Sequence, residues 1–482
     1  MPLPERFSLL VLGQGSTGLD VAAWGAAHLG ERVSSVTVYG GAVSAPNERT
    51  AALEARGVSF AYGTEVVEGS YDVCVASPGI SEFSDFFASG RAASAQIMGE
   101  PELAWRLSPE RWCAITGTNG KTTTTSLTDH LLHEAGMASC AVGNIGVPPI
   151  SRVDDREPGS WFVAELSSYQ LATSTELHPH AAALLNITPN HLSWHRTHGN
   201  YAAAKLKIFR NMGADDLALV DVEDEGDLAV VDVEDAGVMS VAGGIFTPGR
   251  RVLSLGLSDA GTADAAFVRD GALTVRLGGG EVRLIDADEL LIKGDFNILN
   301  ALAASALALF CGADAEAVRT GLESFEPLEH RLEPAGEVDG VSYVNDSKAT
   351  STDAVEKALS IFPDRRVILL LGGHDKGTPL ADFMRVVTSR AAAVVCFGEA
   401  RERFRSALEA APGASDIYIA EADHLRDAVE TAASLARSGD VVLFSPACSS
   451  FDEFSCFEER GRAFKSYVGE IGRRGSSQAA DR

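Results

Sequence analysis

The chain contains the sequence Ile115-Thr116-Gly117-Thr118-Asn119-Gly120-Lys121-Thr122 between an apolar run and a helical pattern. The residues from 112 to 116 are mostly apolar and predict a strand, and those from 122 to 135 place leucines on one face of a predicted helix. The glycines between them allow the backbone to wrap closely around an anion, and the start of a helix points N–H groups toward it. The order of strand, loop and helix therefore predicts a phosphate-binding loop.

Two side chains of this loop suit nucleotide chemistry. Lys121 would neutralise phosphate oxygens, and the hydroxyl of Thr122 would ligate Mg²⁺. The loop is shorter than the general P-loop, because Ile115 stands where that motif has its first glycine. The alternative interpretation is a glycine-rich turn with a surface lysine, which the order of the elements disfavours.

A second glycine-rich loop lies near the N-terminus. A predicted strand over residues 7–12 is followed by Gly13-Gln14-Gly15-Ser16-Thr17-Gly18 and by a predicted helix over residues 19–29. This is a dinucleotide-type fingerprint, but Tyr39-Gly40-Gly41 ends the second strand without the acidic residue expected there. The pattern therefore indicates binding of a nucleotide phosphate, and a tight strand–helix turn is the alternative.

Composition excludes some classes of partner. The 67 acidic and 40 basic residues give a net charge of −27, so nucleic acid is not an expected partner. The seven cysteines form no Cys-x-x-Cys pair, which indicates reduced thiols and a cytoplasmic protein. We see neither a signal-type segment nor an apolar run long enough for membrane insertion.

Strand-like and helix-like segments alternate along all 482 residues, which predicts an α/β protein with about three domains. Pro109 and the pair Glu326-Pro327 mark the expected boundaries. The predicted domains are a Rossmann-like N-terminal domain (1–108), a central P-loop mononucleotide-binding domain (109–328) and a Rossmann-like C-terminal domain (329–482).

Polar groups follow several predicted strands. Glu165 ends an apolar strand beside the phosphate-binding loop, where an acidic partner for Mg²⁺ is needed, although strand-end glutamates are often merely solvated. His191 follows another predicted strand, and Lys205 lies on the predicted helix that comes next in the chain. A histidine alone says little about Mg²⁺, which prefers oxygen ligands. In the third domain, loops 345–350, 372–376 and 445–452 each follow a strand, so we expect them to share one rim.

Taken in order, these loops resemble the Mur ligase family, and within it the branch that adds D-glutamate. The resemblance covers nearly the whole chain. It includes four further segments, Gly143-Asn144-Ile145-Gly146, Glu165 to Leu171, Asn297 to Ala301 and Glu329-His330-Arg331.

The resemblance implies a reaction and its partners. ATP would phosphorylate the carboxylate of UDP-N-acetylmuramoyl-L-alanine, and the amine of D-glutamate would displace phosphate from the acyl phosphate during peptidoglycan precursor synthesis. The N-terminal domain would hold the UDP group, the central domain ATP, and the C-terminal domain the amino acid. Two Mg²⁺ ions and a carbamylated Lys205 are implied, and a monomer is expected.

The resemblance also implies roles for individual residues. The ATP-binding set is Gly117, Thr118, Asn119, Gly120, Lys121, Thr122, Thr123, Asn300, Arg331 and Asp346. The catalytic set is Lys121, His191, Lys205 and Lys348. The first Mg²⁺ would be held by Thr122 and Glu165, and the second by His191 and the carbamate of Lys205. The substrate set is Ser16, Thr17, Ser77, Pro78, Gly79 and Asn144 for the UDP-muramoyl substrate, and Thr350, Lys376, Ser450, Phe451 and Phe457 for D-glutamate.

Three departures from the family pattern stand out. Asn190 and Ser193 replace the aspartates of an Asp-His-x-Asp pattern, Phe451 replaces a smaller apolar residue, and Tyr39-Gly40-Gly41 lacks the usual charged residues. Three other functions remain open: a related amide ligase that uses another amino acid or a folate, an NAD-dependent oxidoreductase, and a catalytically silent nucleotide-binding regulator. The phosphate-binding loop and the missing ribose-binding acid disfavour the oxidoreductase, and the retained Lys121, Glu165 and Lys205 disfavour the regulator.

Overall fold

The computed structural model describes residues 2–188, 190–221, 251–375 and 377–480, with side chains up to residue 473. Lys376, one of the predicted substrate residues, lies outside this part of the chain. Within it, no helix is both long enough and apolar enough to cross a membrane.

The first sheet has five parallel strands in the order β3-β2-β1-β4-β5. These strands are β1 (Phe7–Leu12), β2 (Val33–Tyr39), β3 (Ser59–Ala61), β4 (Tyr71–Ala76) and β5 (Ser94–Gly99). The helices of this region are Ser16–Ala27, Glu48–Glu54, Asp85–Ala92 and Glu100–Leu107.

Among the described residues, the second sheet has nine strands in the order β14-β13-β12-β11-β10-β9-β6-β8-β7, parallel except for the last two pairings at the β14 edge. These strands are β6 (Trp112–Thr116), β7 (Ser139–Gly143), β8 (Trp161–Glu165), β9 (Ala181–Leu184), β10 (Leu217–Asp221), β11 (Arg251–Leu255), β12 (Asp264–Arg269), β13 (Ala272–Leu277) and β14 (Gly280–Asp286). Its α-helices are Lys121–Glu134, Ser168–Ala172, Leu192–His195, His198–Leu206, Asp295–Cys311 and Ala315–Ser324, and its 3₁₀ helices are Pro149–Arg152 and Lys207–Phe209.

In the described part of the second half of the chain, the third sheet has six strands in the order β15-β16-β20-β17-β18-β19, and the β15–β16 pairing is antiparallel while the others are parallel. These strands are β15 (Glu333–Val338), β16 (Val341–Asn345), β17 (Val367–Gly372), β18 (Ala391–Phe397), β19 (Tyr418–Ala422) and β20 (Val441–Ala447). Its α-helices are Thr352–Ser360, Ala381–Arg390, Arg401–Glu409, Leu425–Leu435 and Phe457–Ala480, with a 3₁₀ helix at Ala414–Asp416.

The predicted α/β class is confirmed, and each of the three predicted domains contains one sheet. The chain forms two compact units. The first unit is Met1–Leu290 with Asn297–Phe325 and holds the first two sheets, and the second is Leu291–Phe296 with Glu326–Arg482 and holds the third. The boundaries at 108 and 328 stay predictions.

The central strands are apolar because helices cover both faces of a parallel sheet. All five residues of β6 are buried, and β8, β9 and β10 are buried throughout. The carboxyl ends of β6, β8 and β9 lie at one edge of the sheet, because these strands are parallel neighbours. Strand β9 ends at Leu184, so residues 185–188 leave the sheet there.

Candidate nucleotide-binding and catalytic site

The phosphate-binding loop connects β6 to the helix Lys121–Glu134, as the sequence predicts. Gly120 begins that helix in the left-handed region, with φ 81°. A Cβ added there would lie 2.3 Å from Oδ1 of Asn300 and 3.2 Å from Cδ1 of Leu185. Both the backbone conformation and the close approach of Asn300 therefore require glycine at this position.

The segment after β9 braces this loop. Asn186 accepts from the N–H of Thr118 through its backbone O (2.9 Å) and from the N–H of Asn119 through Oδ1 (2.8 Å), and it donates to Asn119 O (3.2 Å). The hydroxyls of Thr118 and Tyr201 are 2.8 Å apart. Sequence reasoning gave neither Asn186 nor Tyr201 a role. Asn186 could have been predicted to lie near the loop, because it follows a strand that pairs with β6.

Two lysines converge on the loop backbone. Lys121 Nζ donates to the carbonyl oxygens of Gly117 and Thr118, each at 2.9 Å. Lys205 Nζ donates to the same Gly117 oxygen at 2.7 Å and to Thr116 Oγ1 at 3.4 Å. The structure thus brings together two predicted catalytic residues that are distant in sequence.

The amine of Lys205 is fully enclosed. Burial lowers the pKa of Lys205 well below its ordinary value, the positive charge of Lys121 lowers it further, and Glu165 opposes the shift. The ring of Tyr201 lies 4.8 Å from Lys205 Nζ. Burial in this environment therefore favours the neutral form of the Lys205 amine.

Glu165 is buried at the carboxyl end of β8. Its Oε1 accepts from Asn144 Nδ2 at 2.8 Å, and its backbone O accepts from Asn144 N at 2.9 Å. Its Oε2 is buried and has no hydrogen-bond partner within the described part of the chain. A buried carboxylate oxygen without a partner fits the oxygen ligand that Mg²⁺ prefers. Asn144, predicted to contact the muramoyl substrate, lies directly against this carboxylate.

The segment around His191 is held by aromatic contacts. His191 has φ 55°, and its ring centroid lies 4.9 Å from that of Tyr169. Asn190 Oδ1 accepts from His191 N at 2.8 Å, so the side chain that replaces an aspartate bonds to the backbone. One helical turn further, His195 is buried, and its Nε2 lies 2.9 Å from Ser168 Oγ. Burial lowers the pKa of His195 to about 4, so its ring is neutral near pH 7.

The two N-terminal loops predicted to bind the UDP group meet at the carboxyl ends of β1 and β4. Ser77 N donates to Leu12 O at 2.9 Å, and Ser77 Oγ donates to Gly13 O at 3.4 Å. A Cβ on Gly18 would lie 2.1 Å from Gly13 O, so only glycine fits where the helix packs on the loop. The remaining predicted residues of these loops, all partly or fully exposed, are Ser16, Thr17, Pro78 and Gly79.

In the second unit, Asp346 follows β16 and is buried. Its Oδ2 accepts from Ser445 Oγ at 2.7 Å and its Oδ1 accepts from Leu332 N at 3.3 Å. Burial raises the pKa of Asp346 to about 7, and the nearby positive charge of Arg331 opposes that rise. Two predicted ATP contacts of this unit are therefore close enough to interact.

The predicted rim of the second unit is tied together by Arg460, which the sequence analysis missed. Its guanidinium is buried and donates to Ser347 Oγ (3.1 Å), Ser347 O (2.8 Å), Cys448 O (3.0 Å) and Ser449 O (2.9 Å). These bonds link the loop after β16 to the loop after β20. Arg460 lies in a charged helical run, so no sequence signal separated it from the exposed charges beside it.

The predicted amino-acid contacts of this unit differ in exposure. Ser450 is buried, whereas Phe451 is 69% exposed, with its ring centroid 6.5 Å from that of His374. Lys348 and Phe457 lie in contact, with Nζ 3.8 Å from the ring centroid. Thr350 is half-buried beyond Lys348 on the loop after β16.

A group that could ligate a metal lies beside this rim. Glu329, His330 and Glu333 converge, but Lys465 Nζ lies 2.8 Å from Glu329 Oε1 and 2.7 Å from Glu333 Oε1. Lys465 is ion-paired with both carboxylates, so the group is an ion-pair network.

Two family models match the chain, the Mur ligase middle domain over residues 115–308 and the "Mur ligase, glutamate ligase domain" over residues 330–448. Among curated proteins, it is 37% identical to the UDP-N-acetylmuramoylalanine--D-glutamate ligase of Pelotomaculum thermopropionicum, over 96% of this chain and 97% of the relative. It is 38% identical to the protein of the same name from Geobacter metallireducens, over 96% of this chain and 98% of the relative.

Solved structures share the fold. The UDP-N-acetylmuramate-alanine ligase MurC of Thermotoga maritima has a TM-score of 0.55 and 19% identity, over 96% of this chain and 100% of that one. The MurF ligase of Thermotoga maritima, solved in complex with ADP, has a TM-score of 0.53 and 18% identity, over 86% of this chain and 96% of that one.

Proposed function

The chain belongs to the Mur ligase family, and we propose that it joins D-glutamate to UDP-N-acetylmuramoyl-L-alanine with hydrolysis of ATP to ADP and phosphate. The observation that carries this proposal is the similarity, almost from end to end, to D-glutamate ligases at 37–38% identity. A carboxylate is a poor electrophile until its oxygen becomes a good leaving group. Phosphorylation of that oxygen by ATP, followed by attack of the amine, provides the leaving group.

The phosphate-binding loop would hold the ATP phosphates. Its N–H groups and the start of the helix Lys121–Glu134 form an anion site, and Lys121 would add a positive charge. Asn300, packed against Gly120, would contact the nucleotide from the same side. Arg331 and Asp346 are the nucleotide contacts proposed for the second unit. The loop residues proposed to contact ATP are Gly117, Thr118, Asn119, Gly120, Lys121, Thr122 and Thr123.

Mur ligases use ATP and Mg²⁺, and the residues present fit the metal. Glu165, with its buried and unpartnered oxygen, and the hydroxyl of Thr122 would hold one ion. We propose a second ion at His191 and Lys205. The low pKa of Lys205 supports carbamylation, because only a neutral amine adds to CO₂, and the carbamate would offer the oxygen ligand that an ammonium cannot. The ions would neutralise charge on the transferring phosphoryl group.

The substrates would occupy the three predicted regions. The loops after β1 and β4, with Asn144, would receive the UDP-muramoyl substrate. Lys348 would lie near the acyl phosphate. The residues proposed for D-glutamate are Thr350, Ser450, Phe451 and Phe457, together with Lys376. A domain division at 108 and 328, a monomeric state and a cytoplasmic location complete the proposal, and the seven free cysteines support the location.

The test is phosphate release from ATP with Mg²⁺, with UDP-N-acetylmuramoyl-L-alanine and D-glutamate supplied singly and together. We expect release only with both substrates and a product heavier by one glutamyl unit. Release with a different amino acid would move the chain to another branch of the family. If no amino acid supports phosphate release, the assignment as a ligase is overturned.

The carbamate is tested separately. Lys205→Ala should abolish turnover, and a small carboxylic acid should restore part of it by supplying the missing oxygen ligand. Lys207→Ala is the matched control, because Lys207 is a nearby half-buried lysine that donates to the Ala172 carbonyl instead. A carboxylic acid that stimulates both variants equally, or neither, would contradict the carbamate.

A further inference from the structure

We propose that Phe457 positions the ammonium group of Lys348 by holding it against the face of its ring. Lys348 Nζ lies 3.8 Å from the ring centroid, well inside the roughly 6 Å over which an aromatic face attracts a cation. The inference rests on the proposed function and changes the role of Phe457. The ring acts through Lys348, beyond any contact of its own with the incoming amino acid.

Hydrogen bonds fix the backbone on both sides of this pair. Ser347 Oγ donates to Phe457 O at 2.8 Å, and Lys348 N donates to His330 O at 3.1 Å. Arg460, one turn along the same helix as Phe457, donates to Ser347 Oγ and Ser347 O. The residue before Lys348 is therefore anchored by three hydrogen bonds to the first turn of the helix Phe457–Ala480, so the ring and the lysine stem start from fixed positions.

The orientation of the ring is fixed as well. The ring of buried His330 meets Phe457 edge to face, with centroids 6.1 Å apart and an interplanar angle of 86°. Burial lowers the pKa of His330, so its imidazole is neutral at pH 7 and does not compete with Lys348 for the ring. Phe457 thus contacts the imidazole as well as the ammonium group.

A ring suits this task better than a carboxylate would. Lysine has a flexible four-carbon stem, and misplacing a reacting group by 1 Å can cost about 100-fold in rate. A carboxylate partner would hold Lys348 but would also cancel much of the charge needed beside an acyl phosphate. The ring quadrupole attracts the ammonium group without carrying a net charge, so this contact orients the group and does not itself cancel its charge.

The experiment weakens the face of the ring while keeping its shape. Phenylalanine with one, two or three fluorine atoms is introduced at position 457 alone, because fluorine withdraws electron density from the ring face. We expect kcat for D-glutamate ligation to fall stepwise, by about 10-fold over the series, with the KM for the UDP-substrate unchanged. Phe457→Leu should show a similar fall, and Phe457→Tyr should recover activity to within about twofold of wild type.

Tyr467 on the same helix provides the matched control. Arg426 lies over its ring at 4.5 Å, so Tyr467→Leu removes a cation–ring contact outside the proposed site and should leave kcat unchanged. A kcat that does not respond to fluorine, with Phe457→Leu still impaired, would mean that the ring acts by shape alone and would overturn the inference. A wild-type protein that fails to ligate D-glutamate would overturn the proposed function and this inference together, so the two failures are distinguishable.

Discussion

Replacing Gly120 with alanine tests how tightly the phosphate-binding loop is packed. Gly120 has φ 81°, a conformation that costs a residue with a side chain about 1–2 kcal/mol. The added Cβ would lie 2.3 Å from Asn300 Oδ1, so Asn300 must move. Asn300 is buried, accepts from Thr124 Oγ1 at 3.2 Å and donates to Asn297 Oδ1 at 3.1 Å. Each hydrogen bond lost in that movement costs about 1 kcal/mol.

Strain and two lost hydrogen bonds together predict a loss of about 3–4 kcal/mol in the free energy of unfolding. ATP-dependent turnover should fall as well, because the loop and Asn300 are displaced together. Urea unfolding followed by tryptophan fluorescence measures the stability change. The signal reports on the first unit alone, since all five tryptophans lie in it.

Gly136→Ala is the control for backbone strain. Gly136 follows the far end of the same helix with φ 68°, and a Cβ added there would meet no atom within 4 Å. It should lose only about 1–2 kcal/mol and keep its activity. Equal stability losses in the two variants, with ATP turnover intact in Gly120→Ala, would refute the steric argument.

Three further outcomes are expected. Lys121→Ala should lower turnover by about 100- to 1,000-fold at saturating substrates, measured as phosphate release, because phosphate charge is left unneutralised; near-wild-type turnover would remove Lys121 from the mechanism. Burial raises the pKa of Asp346 from 3.8 to about 7, so the folded state retains a proton and stability falls as pH rises through that window. Asp346→Asn should remove this pH dependence of stability, measured as the urea midpoint by circular dichroism at each pH. A pH dependence like that of wild type would count against the role of Asp346. Burial lowers the pKa of His195 from 6.5 to about 4, so stability is lost as pH falls between those values. His195→Gln should reduce this loss of stability at low pH, measured by urea unfolding followed by tryptophan fluorescence. A loss like that of wild type would mean that other groups cause it.

The sequence predicted the elements that depend on neighbouring residues. The strand Trp112–Thr116 and the helix Lys121–Glu134 lie within one residue of the predicted bounds, because apolar periodicity and the intervening glycines are local signals. The sequence also predicted Glu165 as a site residue, because a charged residue at the end of an apolar strand is a local signal. The ligand roles of these residues stay predictions.

The contacts that hold the site together could not be predicted from local sequence patterns. Asn186 braces Asn119 from 67 residues away, and Ser347 bonds to Phe457 from 110 residues away. No pattern along the chain distinguishes Arg460 from the exposed charges of its helix, since only the fold decides which of them is buried. The same holds for His195, because its low pKa results from burial by residues that surround it only in the folded chain.

The sequence by itself therefore determined the fold class, the order of strand, glycine-rich loop and helix at residues 112–134, and the family, because these depend on local order, glycine geometry and motif succession. The tertiary structure alone decided which lysine has a strongly lowered pKa, which asparagine braces the loop and which ring contacts Lys348. Burial and close contact between distant segments set those properties, and neither exists until the chain has folded.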